Sequence, residues 1–150
     1  MILDNNAEFG SALDFANEPG TALVGDVLDL GTSGRSLGAG RPVYWVIQIT
    51  TAADGGATNT GTTRFQLVSD AQAALAADGT ETVHVQTDDF LFGQLTAGTE
   101  LFIPIPSGIV FERYVGVQIV QGTEGEDDCV GNSFLVLDDG EYTVYGDAVN

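Results

Sequence analysis

The sequence predicts an all-β fold, an antiparallel β-sandwich or small barrel of about eight strands with an extended N-terminal arm. Three observations carry this. Short apolar segments alternate with a period of two and are punctuated by turns rich in Gly, Asn, Asp and Thr. β-Branched and aromatic residues crowd those segments, as suits a pleated surface packed on at least one side. Almost no stretch shows the 3.6-residue period of an amphipathic helix. The length of 150 residues suits one domain with a sizeable core, and the 43% apolar fraction is ordinary for a globular chain.

Each element follows from its residues. Within 1–20 the large apolar side chains Ile2, Leu3, Phe9, Leu13 and Phe15 are spaced for neither helix nor strand. They read as an extended arm lying on its own body or on a neighbour. Thr21–Leu30 is the first expected strand, ended by Gly31, and Gly31–Gly40 is a turn-rich loop. Val43–Thr50 is the organising strand. Val43, Trp45, Ile47 and Ile49 share one face, with Trp45 the largest core side chain, and Tyr44, Val46, Gln48 and Thr50 share the other. Pro42 is tolerated where no ladder donor is needed. After a hairpin connection, Thr62–Ser69 returns with Thr63, Phe65 and Leu67 on one face.

Ser69-Asp70-Ala71-Gln72 has the form of a capping box, so Ala71–Ala77 is expected to make one or two helical turns or a compact loop. Glu81–Gln86 is a short strand with Val83 and Val85 inward. Thr99–Ile105 sets Leu101, Ile103 and Ile105 against Phe102. Arg113–Val120 sets Val115, Val117 and Ile119 against Tyr114 and Gln118. Gly122–Gly131 is an acidic turn, Asn132–Leu137 a fully buried strand, and Tyr142–Tyr145 a last short strand or a tail. The expected organisation is an arm over 1–20, a sandwich over 21–138 and a C-terminal extension over 139–150.

Charge departs furthest from the ordinary. Twenty-two acids face four bases, all arginine (Arg35, Arg41, Arg64 and Arg113), for a net charge of −18. Such a field repels nucleic acid and anionic membrane surfaces, so neither is an expected partner. No window approaches the ~20 apolar residues of a membrane helix, and the N-terminus lacks the basic start and apolar run of a signal peptide. A chain made and used, or assembled, in the cytoplasm is the expectation. The lone Cys129 makes no internal disulfide, and its neighbours Glu124, Glu126, Asp127 and Asp128 disfavour a thiolate nucleophile.

Chemistry finds little to build on. His84 is the single histidine, flanked by Val83 and Val85, and reads as an exposed strand residue. Without lysine there is no Schiff base and no P-loop. The glycines of 31–40 lead into a strand, whereas anion-binding loops lead into a helix N-terminus. Asp88-Asp89, Asp127-Asp128 and Asp138-Asp139 are adjacent pairs that point apart on a strand. The 124–128 loop offers oxygens suited to calcium, but its spacing matches no EF-hand, and it reads as a solvated turn. No catalytic, cofactor-binding or metal site is expected, and no enzyme activity.

An ordered set of short motifs points to a family. It comprises Met1-Ile2-Leu3-Asp4, Asp29-Leu30-Gly31, Gly38-Ala39-Gly40-Arg41-Pro42-Val43-Tyr44, Phe65-Gln66-Leu67-Val68-Ser69-Asp70, Leu95-Thr96-Ala97-Gly98-Thr99, Ile103-Pro104-Ile105-Pro106, Glu112-Arg113-Tyr114-Val115-Gly116 and Leu135-Val136-Leu137-Asp138. Over about residues 1–138 the chain resembles the Bbp16-like capsid cement (decoration) proteins of tailed bacteriophages. The resemblance implies a jelly-roll-like sandwich on the outer capsid surface of the virion, assembled in the host cytoplasm. Its implied partners are an HK97-like major capsid protein and itself, as a dimer or trimer bridging neighbouring capsomers. Ile2, Leu3, Phe9 and Phe15 are then the expected capsid or neighbour contacts. The extension 139–150, the acidic loop and the unusual acidity depart from the pattern, and the last suggests a saline setting.

The competing reading is a carbohydrate- or receptor-binding module of a phage tail or fibre, with Tyr44, Phe90, Phe92 and Tyr142 as groove aromatics. A cupin-type enzyme needs clustered histidines. One measurement checks the charge reading. Self-repulsion is screened within about 10 Å at 0.1 M salt and about 3 Å at 1 M. The melting temperature should therefore rise with sodium chloride; a flat or falling dependence would count against it.

Overall fold

The computed structural model describes residues 7–31, 37, 42–54 and 60–137. Among the described residues nine strands follow in order: β1 (Glu8–Asp14), β2 (Gly20–Asp29), β3 (Val43–Asp54), β4 (Thr62–Asp70), β5 (Thr82–Gln86), β6 (Phe90–Leu91), β7 (Glu100–Ile105), β8 (Tyr114–Gln121) and β9 (Asp128–Val136). A 3-10 turn occupies Phe92–Gln94. One sheet has the order β1-β9-β3-β7; the other has β2-β8-β4-β5, with the short β6 also on β4. All pairs are antiparallel. The principal pairs nest: β4 with β5, β3 with β7, β2 with β8, β1 with β9. Successive pairs fall in alternate sheets, so the chain is one long ribbon rolled upon itself, which is the jelly roll.

The expected inward residues build the core. Trp45, Ile47 and Ile49 of β3, Phe65 and Leu67 of β4, and Val115, Val117 and Ile119 of β8 are all buried between the sheets. β3 lies between β7 and β9, the interior position its apolar run requires. The Trp45 indole N–H donates to Ser133 Oγ at 2.9 Å, so the largest core side chain keeps its polar atom satisfied. The rings of Phe15 and Phe65 meet edge to face at 5.4 Å and join the end of β1 to the opposite sheet.

The structure corrects several expectations. Residues 8–14, expected within an arm, form the edge strand β1. Its register slips twice against β9, and Ala12 sits at φ 52°, so its buried side chains lose the two-residue period. The segment 71–77 forms bends rather than a helix. Asp70 Oδ1 accepts the Gln72 N–H at 2.9 Å, an Asx turn competing with the capping box. Leu75 is buried, and Gln118 Nε2 reaches the Ala76 carbonyl at 3.4 Å, which lays this loop on the outward side of β8. Val83 points outward, not inward. β9 starts at Asp128, four residues before the expected Asn132. The expected strand at Tyr142–Tyr145 and the extension 139–150 lie outside the described residues.

Gly131 marks the tightest approach in the sheet. A Cβ there would collide with the Gln48 carbonyl oxygen and come within 2.5 Å of Phe15 Cε2. Backbone and a buried ring cannot yield cheaply, so Gly131→Ala should cost about 2–3 kcal/mol, at the upper end of overpacking effects. Urea denaturation measures this; a loss under about 0.5 kcal/mol would contradict the packing described.

Candidate functional site

Polar side chains gather at two buried places. The first surrounds His84. Leu67 pairs with Val85 and Val68 with Val83, so His84 is the extra residue of a β-bulge. Its ring turns against Phe111, 4.4 Å away, and its Nε2 lies 2.7 Å from Ser69 Oγ. The same oxygen accepts the Glu112 N–H at 3.0 Å. Burial lowers the His84 pKa, opposed by the nearby Glu112 charge. The expected exposed histidine is thus half-buried and engaged. A serine beside a histidine can do nucleophilic chemistry. Ser69, however, is fully buried, and the pair ties the 106–113 loop to β4 and β5. No sequence signal placed these residues together, because the bulge reverses the face on which alternation sets His84.

The second place surrounds Glu126, which is 4% exposed. Its Oε2 accepts the Thr63 hydroxyl at 3.0 Å and Gln121 Nε2 at 2.6 Å. Gln121 Nε2 also reaches the Phe15 carbonyl at 3.1 Å, and the Glu126 N–H donates to Asn17 O at 2.9 Å. The cluster therefore pins the β1–β2 connection to β4, β8 and the loop before β9. Among the described residues Glu126 Oε1 has no hydrogen-bond partner. Burial pushes the carboxyl up to about 7, against the Thr63 hydrogen bond and with help from Asp128 and Asp14. Beside it, Cys129 is fully buried, and its thiol is pushed well up, first by burial and then by the Glu126 charge. The expected solvated turn is only part of the picture. Glu126 is inside, and Glu124 accepts both the Thr60 N–H at 3.2 Å and its hydroxyl at 2.9 Å. Among the described residues no group of three or more acids, histidines or cysteines is arranged to hold a metal.

Of the four sequence-derived contact residues, the two described ones are not at the surface. Phe9 and Phe15 are fully buried in the core, so neither presents a surface to a neighbour; Ile2 and Leu3 lie outside the described residues. The physical reason is that each ring finds its apolar surroundings within its own sandwich. The groove aromatics do not converge. Phe92 is fully buried, Phe90 packs on the core, Tyr44 lies on the outer face of the other sheet, and Tyr142 is outside the described residues. A cleft of about 310 Å³ runs where β1 crosses β2, lined by Glu8, Phe9, Gly10, Ser11, Leu13, Gly25 and Asp26.

Acids far outnumber bases in the chain. Both described arginines are ion-paired at 2.8 Å, Arg64 with Asp89 and Arg113 with Asp29. The Arg113 hydrogen bonds hold Asp29 at about 2. Fold and surface together define an anionic jelly-roll sandwich whose buried polar groups serve its own connections. The chain belongs to the Bbp16 family, whose model matches residues 19–126, from the connection before β2 to the loop before β9. That span is shorter at both ends than the resemblance over 1–138, and it leaves out β1 and β9. No curated protein matches the chain. Among solved structures, that of the infectious bursal disease virus Gx strain aligns over 90% of this chain with 13% identity and a TM-score of 0.30. The chain spans 32% of that protein's length, and the likeness is too slight to bear on function.

Glu126 sets a pH dependence. A carboxyl that titrates higher folded than unfolded adds stability below the unfolded value, 4.5, and loses it as pH rises through about 7. At 1.36 kcal/mol per unit the full swing is on the order of 3 kcal/mol. Glu126→Gln should therefore be more stable than the parent at pH 8 and should lose most of that margin at pH 5, by thermal unfolding. An equal margin at both would refute the assignment.

Proposed function

We propose that this protein is a structural virion protein, a capsid cement protein bound to the outside of an HK97-like phage capsid, where it bridges neighbouring major capsid proteins. The observation that carries the reading is the Bbp16 match across β2–β8, joined to the resemblance of the ordered motifs to phage cement proteins. On this reading the protein is no enzyme and acts as a dimer or trimer. Three physical features support it. A rolled ribbon with a close-packed core is a rigid spacer. Its polar clusters are spent on internal connections rather than gathered around an open cleft. Its net charge of −18, with both described arginines paired, suits a partner with basic patches, since opposite potentials steer docking and fix register. Many weak contacts on a closed shell add through effective concentration, so single protomers need not bind tightly.

The test mixes the purified protein with empty shells of the same phage's major capsid protein. Co-sedimentation at a fixed ratio and a higher shell melting temperature are expected. Binding should weaken between 50 mM and 500 mM salt, the reverse of the trend expected for the protein's own folding. Absence of co-sedimentation, together with specific glycan capture on an array, would favour the tail- or fibre-module reading instead.

A further inference from the structure

Two connections close on each other around Glu126: the strap between β1 and β2, residues 16–19, and the loop before β9, residues 122–127. The Glu126 N–H donates to the Asn17 carbonyl at 2.9 Å, and the Asp127 N–H donates to the Asp54 carbonyl at 2.7 Å. A Cβ on Gly125 would stand 3.1 Å from the Asn17 oxygen and 3.3 Å from Glu18 Cα, so the two backbones are in close contact. Both are surface segments. Ala16 and Asn17 are half-buried, Glu18 and Pro19 are exposed, and in the loop Thr123 and Asp127 are exposed. The other neighbours of Glu126 are held far more firmly. Thr63 and Gln121 are buried on β4 and β8, each of which is paired on both sides. The clasp between strap and loop is therefore the part of the cluster that yields most readily.

The carboxyl supplies the second observation. Oε2 accepts from Thr63 and Gln121, whereas the buried Oε1 has no partner among the described residues. A proton on Oε1 leaves both accepted bonds in place. Loss of that proton to water charges a buried group with one oxygen unsolvated, which costs far more than burying a neutral hydroxyl. The charged neighbours oppose it as well. Asp14 faces it from β1 and Asp128 from β9, with the Cys129 thiol beside it. Glu18 lies on the strap against Gly125, and Glu124 and Asp127 share the loop, next to Asp54 of β3. β4 and β8 present Thr63 and Gln121, which carry no charge. Both described arginines are paired elsewhere, with Asp89 and Asp29. Among the described residues an ionised Glu126 meets charges of its own sign.

We infer that a proton on Glu126 operates this clasp: while the carboxyl is neutral the strap and the loop stay closed, and its ionisation shifts the balance toward a form in which 16–19 and 122–127 part and the two sheets remain folded. Parting breaks the Asn17–Glu126 bond and admits water to the carboxylate, which relieves the buried charge. Local opening of a surface clasp takes less free energy than opening the ladders of β4 and β8, so it comes first. The end of the sandwich that carries β1, whose register on β9 slips twice, is then the end that loosens as pH rises.

Hydrogen exchange on the full chain at pH 5 and pH 8 tests this, with each amide rate divided by that of an unstructured peptide at the same pH. The amides of Glu126 and Asp127 report the clasp, since both donate across it. A carboxyl that titrates at 4.5 when open and about 7 when closed makes the open fraction climb between those values and level off above them. Protection of the two amides should therefore fall at least about tenfold from pH 5 to pH 8. The amides of β8 should stay at least about tenfold better protected than these at both pH values, as a local opening requires. In Glu126→Gln the two amides should keep the same protection at both pH values. A fall that persists in that variant overturns the inference. So does equal protection of the clasp and β8 amides in the unmodified chain, which makes the opening global. Should the variant fail to fold, the unmodified chain decides: a Glu126 amide whose protection ignores pH, or a fall confined to the 106–113 loop beside His84, overturns it. No capsid is involved, so the outcome is separate from that of the cement reading.

Discussion

The hydrogen bond from the Trp45 indole to Ser133 Oγ fixes more of this molecule than any other single contact. A buried N–H without an acceptor costs on the order of 1–3 kcal/mol, so Trp45 is at home only when Ser133 stands beside it. Ser133 pairs with Ile47. Satisfying the indole therefore sets the register of β9 on β3. That register lines up Val46 with Phe134 and Tyr44 with Val136, and brings Gly131 against the Gln48 carbonyl. With β9 placed, β1 has its ladder, and the roll is closed.

Legibility in the sequence followed the regularity of the ladder. Between β4 and β8 the pairing runs without a slip, and alternation names the core-facing side chains of β3, β4 and β8 correctly, though Val46, Val68 and Gln118 on their other faces are buried as well. In β1 and β5 a bulge inserts residues, and parity fails from that point. Phe9 and Phe15 read as anchors for a neighbour because the five residues between them show no regular strand alternation. The bulged β1 brings both back to the same core. His84 was misplaced by the same cause. The helical reading of 71–77 rested on local propensity, and one buried leucine with an Asx turn outweighed it. Glu126 was hidden for a different reason. A carboxylate among carboxylates gives no hint that it alone turns inward, since its partners Thr63, Gln121 and the Asn17 carbonyl come from three other parts of the chain.

Electrostatics divide between the surface and the interior. Outside, the excess of acids is met at the described arginines by two exposed ion pairs, each of little worth to stability at ordinary salt. Inside, Glu126 joins the β1–β2 connection, β4 and β8 through its N–H and through hydrogen bonds accepted by Oε2, which remains an acceptor when a proton sits on Oε1. The acidity that suits a particle surface is thus accompanied by one acid kept close to neutrality by its burial.

The nested pairing carries a consequence for synthesis. Glu8 finds its partner in Phe134, 126 residues later, so the first strand to leave the ribosome is the last to be matched. Until β9 has cleared the exit tunnel, Phe9 and Phe15 have no completed interior to enter. The nascent chain then displays two aromatic rings beside an open strand edge, a combination that invites pairing with any similar chain nearby. Polysomes making many copies side by side would put that edge under the greatest pressure, and the strong negative charge of the whole sequence is available throughout that interval to hold neighbouring nascent chains apart.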